Sequence, residues 1–281
     1  MEGRYLSRES IESFRDHLLR EEKSSATIEK YTRDVTAFAS YLGCGELTKD
    51  AVVSYKQHLI EKGYAVRSVN SMLSSINSLF CYLEWPDLRV RSIKMQQQAF
   101  CPEERELTGE EYERLCRTAQ DKKNERLSLI LQTICSTGIR VSELAFITAE
   151  AVRTGKAEVS LKGKTRIVLL PQKLQVRLKR YISGQKIRGG SIFVTRTGKN
   201  VSRSNIWREM KKLCGDAKVD PRKVFPHNLR HLFARVFYGV KNDIAKLADI
   251  LGHSSINTTR IYIISTGTEH RQRMERMRLI L

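Results

Sequence analysis

Four short segments in the second half of the chain carry side chains suited to holding and attacking a phosphodiester. They are TGIRVSEL around Arg140, LKGKTR with Lys162 and Lys164, HNLRH with His227 and Arg230, and LGHSSINTTRIY with His253 and Tyr262. His227 and Arg230 are three residues apart, so within a helix both side chains reach one face and can share one phosphate. A phosphoryl transition state gathers charge on its nonbridging oxygens, and guanidinium groups neutralise that charge bidentately. Arg140 and Arg230, from separate segments, therefore form a clamp. Singly, each residue has a plainer role. Arg140 can pair with Glu143 or offset a helix end. His227 after Pro226 can cap a helix start, and His253 after Leu251-Gly252 a helix end. Tyr262, between Ile261 and Ile263, can be a core aromatic, and the lysines a solvated turn. Their joint occurrence in this order is what points to chemistry.

The elements that must bring these segments together are mostly helical. Ser7 starts a helix to about residue 22, and Ser24 or Ser25 starts a second with Ile28, Tyr31, Val35, Phe38, Ala39 and Leu42 at helical spacing. Thr48 begins a third that Gly63 stops, and residues 66–84 form a fourth that Trp85-Pro86 ends. Periodicity lapses over 89–106, where the charge balance also shifts. A linker at 95–106 is expected there, between a helical domain over 1–94 and a second domain over 107–281. Thr108 and Glu111 make a capping box for a helix through about Ala119, and residues 125–137 form an apolar helix that stops at Gly138. The period then changes to two. AEVSLKGKTRIVLL alternates on both sides of Lys162-Gly163-Lys164, which predicts a hairpin with a basic tip. Helices resume near Gln172, Arg203, Asn228, Asp243 and Ile256, and EHRQRMERMRLIL supplies the last. The expected fold class is mainly α (α+β): a helical N-terminal domain, then a mostly helical domain with a small antiparallel sheet.

The charge sits in one half. Residues 1–97 hold 14 Lys and Arg against 13 Asp and Glu, and the remainder holds 36 against 18, out of a formal net charge of +19. A positive field of that size calls for a polyanionic partner, the bland alternative being a solvated basic surface. No run approaches the ~18 apolar residues of a membrane span, and the first residues lack the apolar core of a signal peptide. A cytoplasmic protein with no membrane partner is expected. The six cysteines form no CxxC pair. Within patterns such as LFCYL at Cys81 and LQTICSTG at Cys135 they read as buried free thiols. The histidines do not group with them at metal-ligand spacing, so no zinc site is expected.

TGIRVSEL, the KGK hairpin, the H-x-x-R-H of PHNLRHLFA, and LGH followed nine residues later by Tyr in GHSSINTTRIY closely resemble the signature of tyrosine recombinases, the phage-integrase and Xer class. SSATIEKYTRDVTAFASYL is similar to the second helix of their N-terminal core-binding domain, so the resemblance covers the whole chain. It implies a catalytic set of Arg140, Lys162, His227, Arg230, His253 and Tyr262. In that scheme Tyr262 attacks a DNA phosphodiester to give a 3′-phosphotyrosyl link, and a hydroxyl of the partner strand reverses the step through a Holliday junction. His227 accepts the proton, Lys162 protonates the leaving oxygen, and Arg140, Arg230 and His253 stabilise the transition state. Glu143 orients the site, and no metal or cofactor takes part. The hairpin is one residue shorter than the common GKGxKxR, so Lys164 is the alternative general acid. Leu232 and the IISTG after Tyr262 are milder departures. The resemblance also implies a C-shaped clamp on double-stranded DNA with inverted-repeat core sites, a homotetramer in which the last helix docks on a neighbour, and accessory DNA-bending proteins. The type IB topoisomerases, which relax DNA with a similar residue set, are the alternative class.

Overall fold

The computed structural model describes residues 3–94, 105–161, 163–263 and 275. Close Cα approaches divide the chain into two units, residues 1–97 and 98–281.

In the first unit, α1 (Arg8–Arg20), α2 (Ser25–Leu42), α3 (Lys49–Glu61) and α4 (Val66–Tyr82) follow the apolar stripes of the sequence. Ser7 and Thr48 cap α1 and α3 with side-chain oxygens. Ser24 caps α2 by position only, its hydroxyl lying 2.9 Å from that of Thr27. Phe14, Phe38, Leu73, Ile76 and Phe80 fill the interior. The chain beyond Pro86 stays on this unit for longer than its lapsed periodicity suggests. Asn77 exchanges two hydrogen bonds with the backbone of Val90, and Asn70 two with that of Ile93.

The second unit is built around α6 (Glu125–Thr137), in which Leu127, Leu129, Ile130, Leu131 and Ile134 are all buried. A helix apolar on every side must be surrounded, and α5 (Gly109–Asp121), α8 (Gln172–Gly184), α9 (Arg203–Leu213) and α10 (Pro226–Lys241) surround it. The capping box of Thr108 and Glu111 is present at α5. After α6, a 3₁₀ segment (Val141–Phe146) and α7 (Ala149–Thr154), neither signalled by periodicity, lead into the sheet. It has two antiparallel strands, β1 (Lys156–Leu161) and β2 (Lys164–Leu169), with Leu161 opposite Lys164. Gly163, at φ +71, lies in the turn between the strands, and Lys164 already belongs to β2. Two short helices close the described chain, α11 (Ile244–Leu251), capped by the Asp243 carboxylate, and α12 (Ile256–Arg260).

Two expectations change. Helix α10 begins at Pro226, two residues before Asn228, because proline suits a first turn that needs no donor there. His227 consequently lies within that first turn. Cys81 and Cys44 are exposed, unlike buried Cys116 and Cys214: on α4 the position next to fully buried Phe80 is turned about 100° away. Among the described residues no helix is long and apolar enough to cross a membrane. Cys101, Lys162 and the expected last helix apart from Glu275, with Met274 and Met277, lie outside the described residues.

Candidate active site

Gly138 ends α6 in the left-handed conformation, φ +65, where a Cβ would lie 2.5 Å from the Phe233 ring. Arg140, two residues on, is fixed by Glu143. That carboxylate accepts the Arg140 backbone N–H on Oε2 and its Nη1 on Oε1, both at 2.9 Å. Arg230, on the first turns of α10, is 1% exposed. Its Nη1 donates to the Gly138 carbonyl, and its Nη2 to the Leu251 carbonyl at 2.6 Å and to His253 Nε2 at 2.9 Å.

The C-terminus of α11 is the shared anchor. Its three successive carbonyls each take a different arginine: Ile250 O accepts Arg166 Nη1 at 2.5 Å, Leu251 O accepts Arg230, and Gly252 O accepts Arg140 Nη2 at 3.3 Å. The last carbonyls of a helix have no partner in the helix and form the negative end of its dipole, so three guanidiniums gather there without three carboxylates. Gly252, at φ +63, ends this helix against Arg166, whose Cδ would be 2.5 Å from a Cβ.

Tyr262, 6% exposed, is enclosed by rings. His231 stacks on it with centroids 4.2 Å apart and planes at 16°, His227 meets it edge-on at 5.1 Å, His253 lies at 5.0 Å, and the Arg230 Cζ is 5.8 Å from its centroid. Buried Thr259 joins two of these parts. Its hydroxyl lies 2.9 Å from His253 Nδ1 and its carbonyl accepts the Tyr262 N–H at 2.9 Å. An arginine can only donate, so His253 Nε2 must accept, which leaves the ring proton on Nδ1 facing Thr259. Burial, then the Arg230 charge, lowers the His253 pKa to about 4, in keeping with a neutral ring. The fork of Arg140, Arg230 and His227 lines a cleft of about 690 Å³ together with Arg203, Trp207 and Arg208 of α9.

Residues 105–269 match the phage integrase family, and residues 11–86 match the phage integrase N-terminal SAM-like domain. The chain belongs to the phage integrase family. Its relatives include the tyrosine recombinase XerA of Pyrococcus furiosus, 30% identical over 100% of this chain and 98% of the relative. The tyrosine recombinase XerD of Halalkalibacterium halodurans is 28% identical over 88% and 90% of the two chains. A crystal structure of XerA recombinase covers 97% of this chain and 99% of its own at 26% identity with a TM-score of 0.55. A lambda integrase tetramer bound to a Holliday junction shares the fold, with 17% identity, a TM-score of 0.72, and coverage of 90% of this chain and 76% of that one. This integrase is thus a tyrosine recombinase, a class of DNA strand-transferring enzyme.

In this recombinase Arg140, His227, Arg230, His253 and Tyr262 come together from the segment after α6, from α10, from the turn after α11 and from the turn after α12, while Lys162 falls outside the described residues. Glu143 is 3% exposed and ionised. Its burial would raise the pKa, but the Arg140 N–H and the Arg166 guanidinium outweigh that and hold it below the usual carboxylate range. Arg166, His231 and Thr259 were not singled out by the sequence. The period-2 alternation that puts Arg166 on the inner face with Val168 was the one available signal for it.

The histidines set a pH window. Burial first, then the charges of His227, Arg235 and Arg230, lower His231 from 6.5 to about 4, and His253 is lowered to about 4 as well. Between about 6.5 and 4 the unfolded chain therefore binds protons that the folded chain refuses. Stability from this source is complete above that window and drains as pH falls through it. Melting temperatures measured across the window should decline, and His231→Phe, which keeps the stack on Tyr262, should flatten the decline. An unchanged slope would assign it to other groups.

Proposed function

We propose that this recombinase cuts and rejoins duplex DNA at a specific site, with Tyr262 as the nucleophile. The observation that carries this reading is the enclosure of Tyr262 by His227, His231, His253 and Arg230 beside a cationic cleft. The Tyr262 Oη attacks phosphorus, the bond to the 5′-oxygen breaks, and a 3′-phosphotyrosyl link and a free 5′-hydroxyl result. A 5′-hydroxyl from the partner strand then reverses the step, so the energy of the phosphodiester is conserved.

A tyrosine gives up its proton reluctantly at neutral pH, and in this reading His227, whose ring meets Tyr262 edge-on, takes it. Burial of its ring, then the charges of Arg230, Arg203 and Arg140, lowers its pKa, which keeps it neutral and able to accept. Arg140 and Arg230 hold the nonbridging oxygens. His253 has its Nε2 lone pair turned to Arg230, so it first orients that arginine. When phosphate takes the arginine's donors, the Thr259 hydroxyl can donate to Nδ1 and release an N–H on Nε2 towards the phosphate. Lys162 protonates the 5′-oxygen.

The partner is double-stranded DNA with inverted-repeat core sites. A homotetramer assembles two such sites, its last helix docked on a neighbour, with DNA-bending proteins as accessories and the cytoplasm as the setting. The test is to select a duplex from a randomised pool with the purified protein and incubate two copies of it. Strand exchange supports the reading; relaxation of supercoils alone would point to a topoisomerase, and binding alone to a non-catalytic DNA-binding protein. On the selected duplex, Lys162→Ala should slow cleavage about 10²-fold or more, the range of general acid catalysis. Replacing the bridging 5′-oxygen with sulfur, a leaving group that needs no proton, should restore the rate. Rescue of Lys164→Ala instead would move the role to Lys164.

A further inference from the structure

We infer that Arg166 is a positioning residue that ties the lysine-bearing hairpin to the arginine clamp, so that departure of the 5′-oxygen depends on it. This rests on the recombinase reading above. A two-stranded ribbon has little rigidity of its own. Here its outer face is open, with Ile167 and Leu169 61% and 66% exposed, and its inner face packs through Ala157, Val159 and Val168. Apolar packing is non-directional. Arg166 adds a directional tie. It stands opposite Val159 on β2, about 7 Å of strand beyond Lys164 and, in sequence, four residues after Lys162.

Its guanidinium bridges two other elements. Nη2 donates to Glu143 Oε2 at 2.6 Å and Nη1 to the Ile250 carbonyl at 2.5 Å, while its Nε is buried with no acceptor among the described residues. Those two acceptors are therefore its polar anchors. Both lead directly to the clamp. The other oxygen of Glu143 holds Arg140, and the carbonyls following Ile250 hold Arg230 and Arg140. Hairpin and phosphate-binding arginines thus share one rigid bracket, and a lysine at the tip inherits its distance from the reacting phosphate through Arg166. A lysine at 166 would carry the same charge but, as a point donor, would lack the fork that spans both acceptors.

The experiment compares wild type and Arg166→Lys for covalent adduct formation on the selected duplex, with oxygen or sulfur at the bridging 5′ position. Arg166→Lys should bind the duplex as wild type does and form adduct about 10²-fold more slowly on the oxygen substrate, the loss expected of a misplacement near 1 Å. On the sulfur substrate it should come within about threefold of wild type, since no proton has to be delivered. Equal slowing on both substrates would overturn the inference, because it would place the effect in the clamp or the fold. So would no slowing on either. Arg166→Gln, which keeps a donor at similar reach, replaces the lysine variant if that one melts below the assay temperature, and its two substrates are read the same way. A wild-type protein that forms no adduct on any duplex would overturn the recombinase reading itself, whereas wild-type adduct indifferent to residue 166 overturns only the role of Arg166.

Discussion

Tyr262→Phe should form no covalent adduct on the selected duplex, a complete loss, while binding that duplex with wild-type affinity and melting at nearly the wild-type temperature. The substitution removes one oxygen from a ring that is 6% exposed. The stack on His231, the edge contact with His227 and the packing of Ile263 and Phe237 about the ring all survive in phenylalanine. A lost hydroxyl costs about 1 kcal/mol in stability. Affinity comes from neutralised phosphates, which the variant leaves alone. Gel separation of the adduct under denaturing conditions, beside a binding titration, is sufficient. An adduct retained by the variant would reject the assignment and redirect it to Tyr238, which packs in the same cluster.

Arg230→Lys should lose both chemistry and stability. Arg230 fills a site where three acceptors on two segments, Gly138 O, Leu251 O and His253 Nε2, converge on one planar fork. Its pKa is lowered to about 10 by burial, then by the Arg140 charge, with the Tyr262 hydroxyl offsetting part of this. It still binds its proton firmly. A lysine head cannot meet all three acceptors, and each buried acceptor left unpaired costs about 1–3 kcal/mol. The melting temperature should fall by roughly 5–10 °C. Adduct formation, measured below both transitions, should drop about 10³-fold, the size of losing one preorganised donor to a developing oxyanion. A variant that melts with wild type and cleaves within tenfold of it would show that the fork is dispensable.

The sequence was most informative where one side chain does one thing. Apolar stripes located the helices, and the order Arg140, His227, Arg230, His253, Tyr262 located residues that the fold does gather. It was silent where the backbone acts. That Arg166 belongs beside Glu143 depends on the Ile250 carbonyl, and no residue type at position 250 announces a carbonyl. His231 is four residues after His227, a helical spacing that puts both rings on one face and was the available signal for it. It reaches Tyr262 because α12 and the turn after it carry that ring across the first turns of α10. Cys81 misled for a related reason, since an apolar run such as LFCYL does not say which of its members face out.

The three carbonyls at the end of α11 have a consequence for inheritance. A main-chain oxygen is present whatever residue carries it, so residues 250 and 251 can change to suit their packing without disturbing the arginines they hold, provided the helix persists to that point. Position 252 is restricted further, by its left-handed backbone and the Arg166 side chain against it. Glu143 is the opposite case, an anchor that a single base change removes. A site braced chiefly by peptide oxygens can pass through long sequence drift with its geometry intact, and Arg230 keeps its charge for the phosphate because carbonyls and an imidazole hold it where a carboxylate could have.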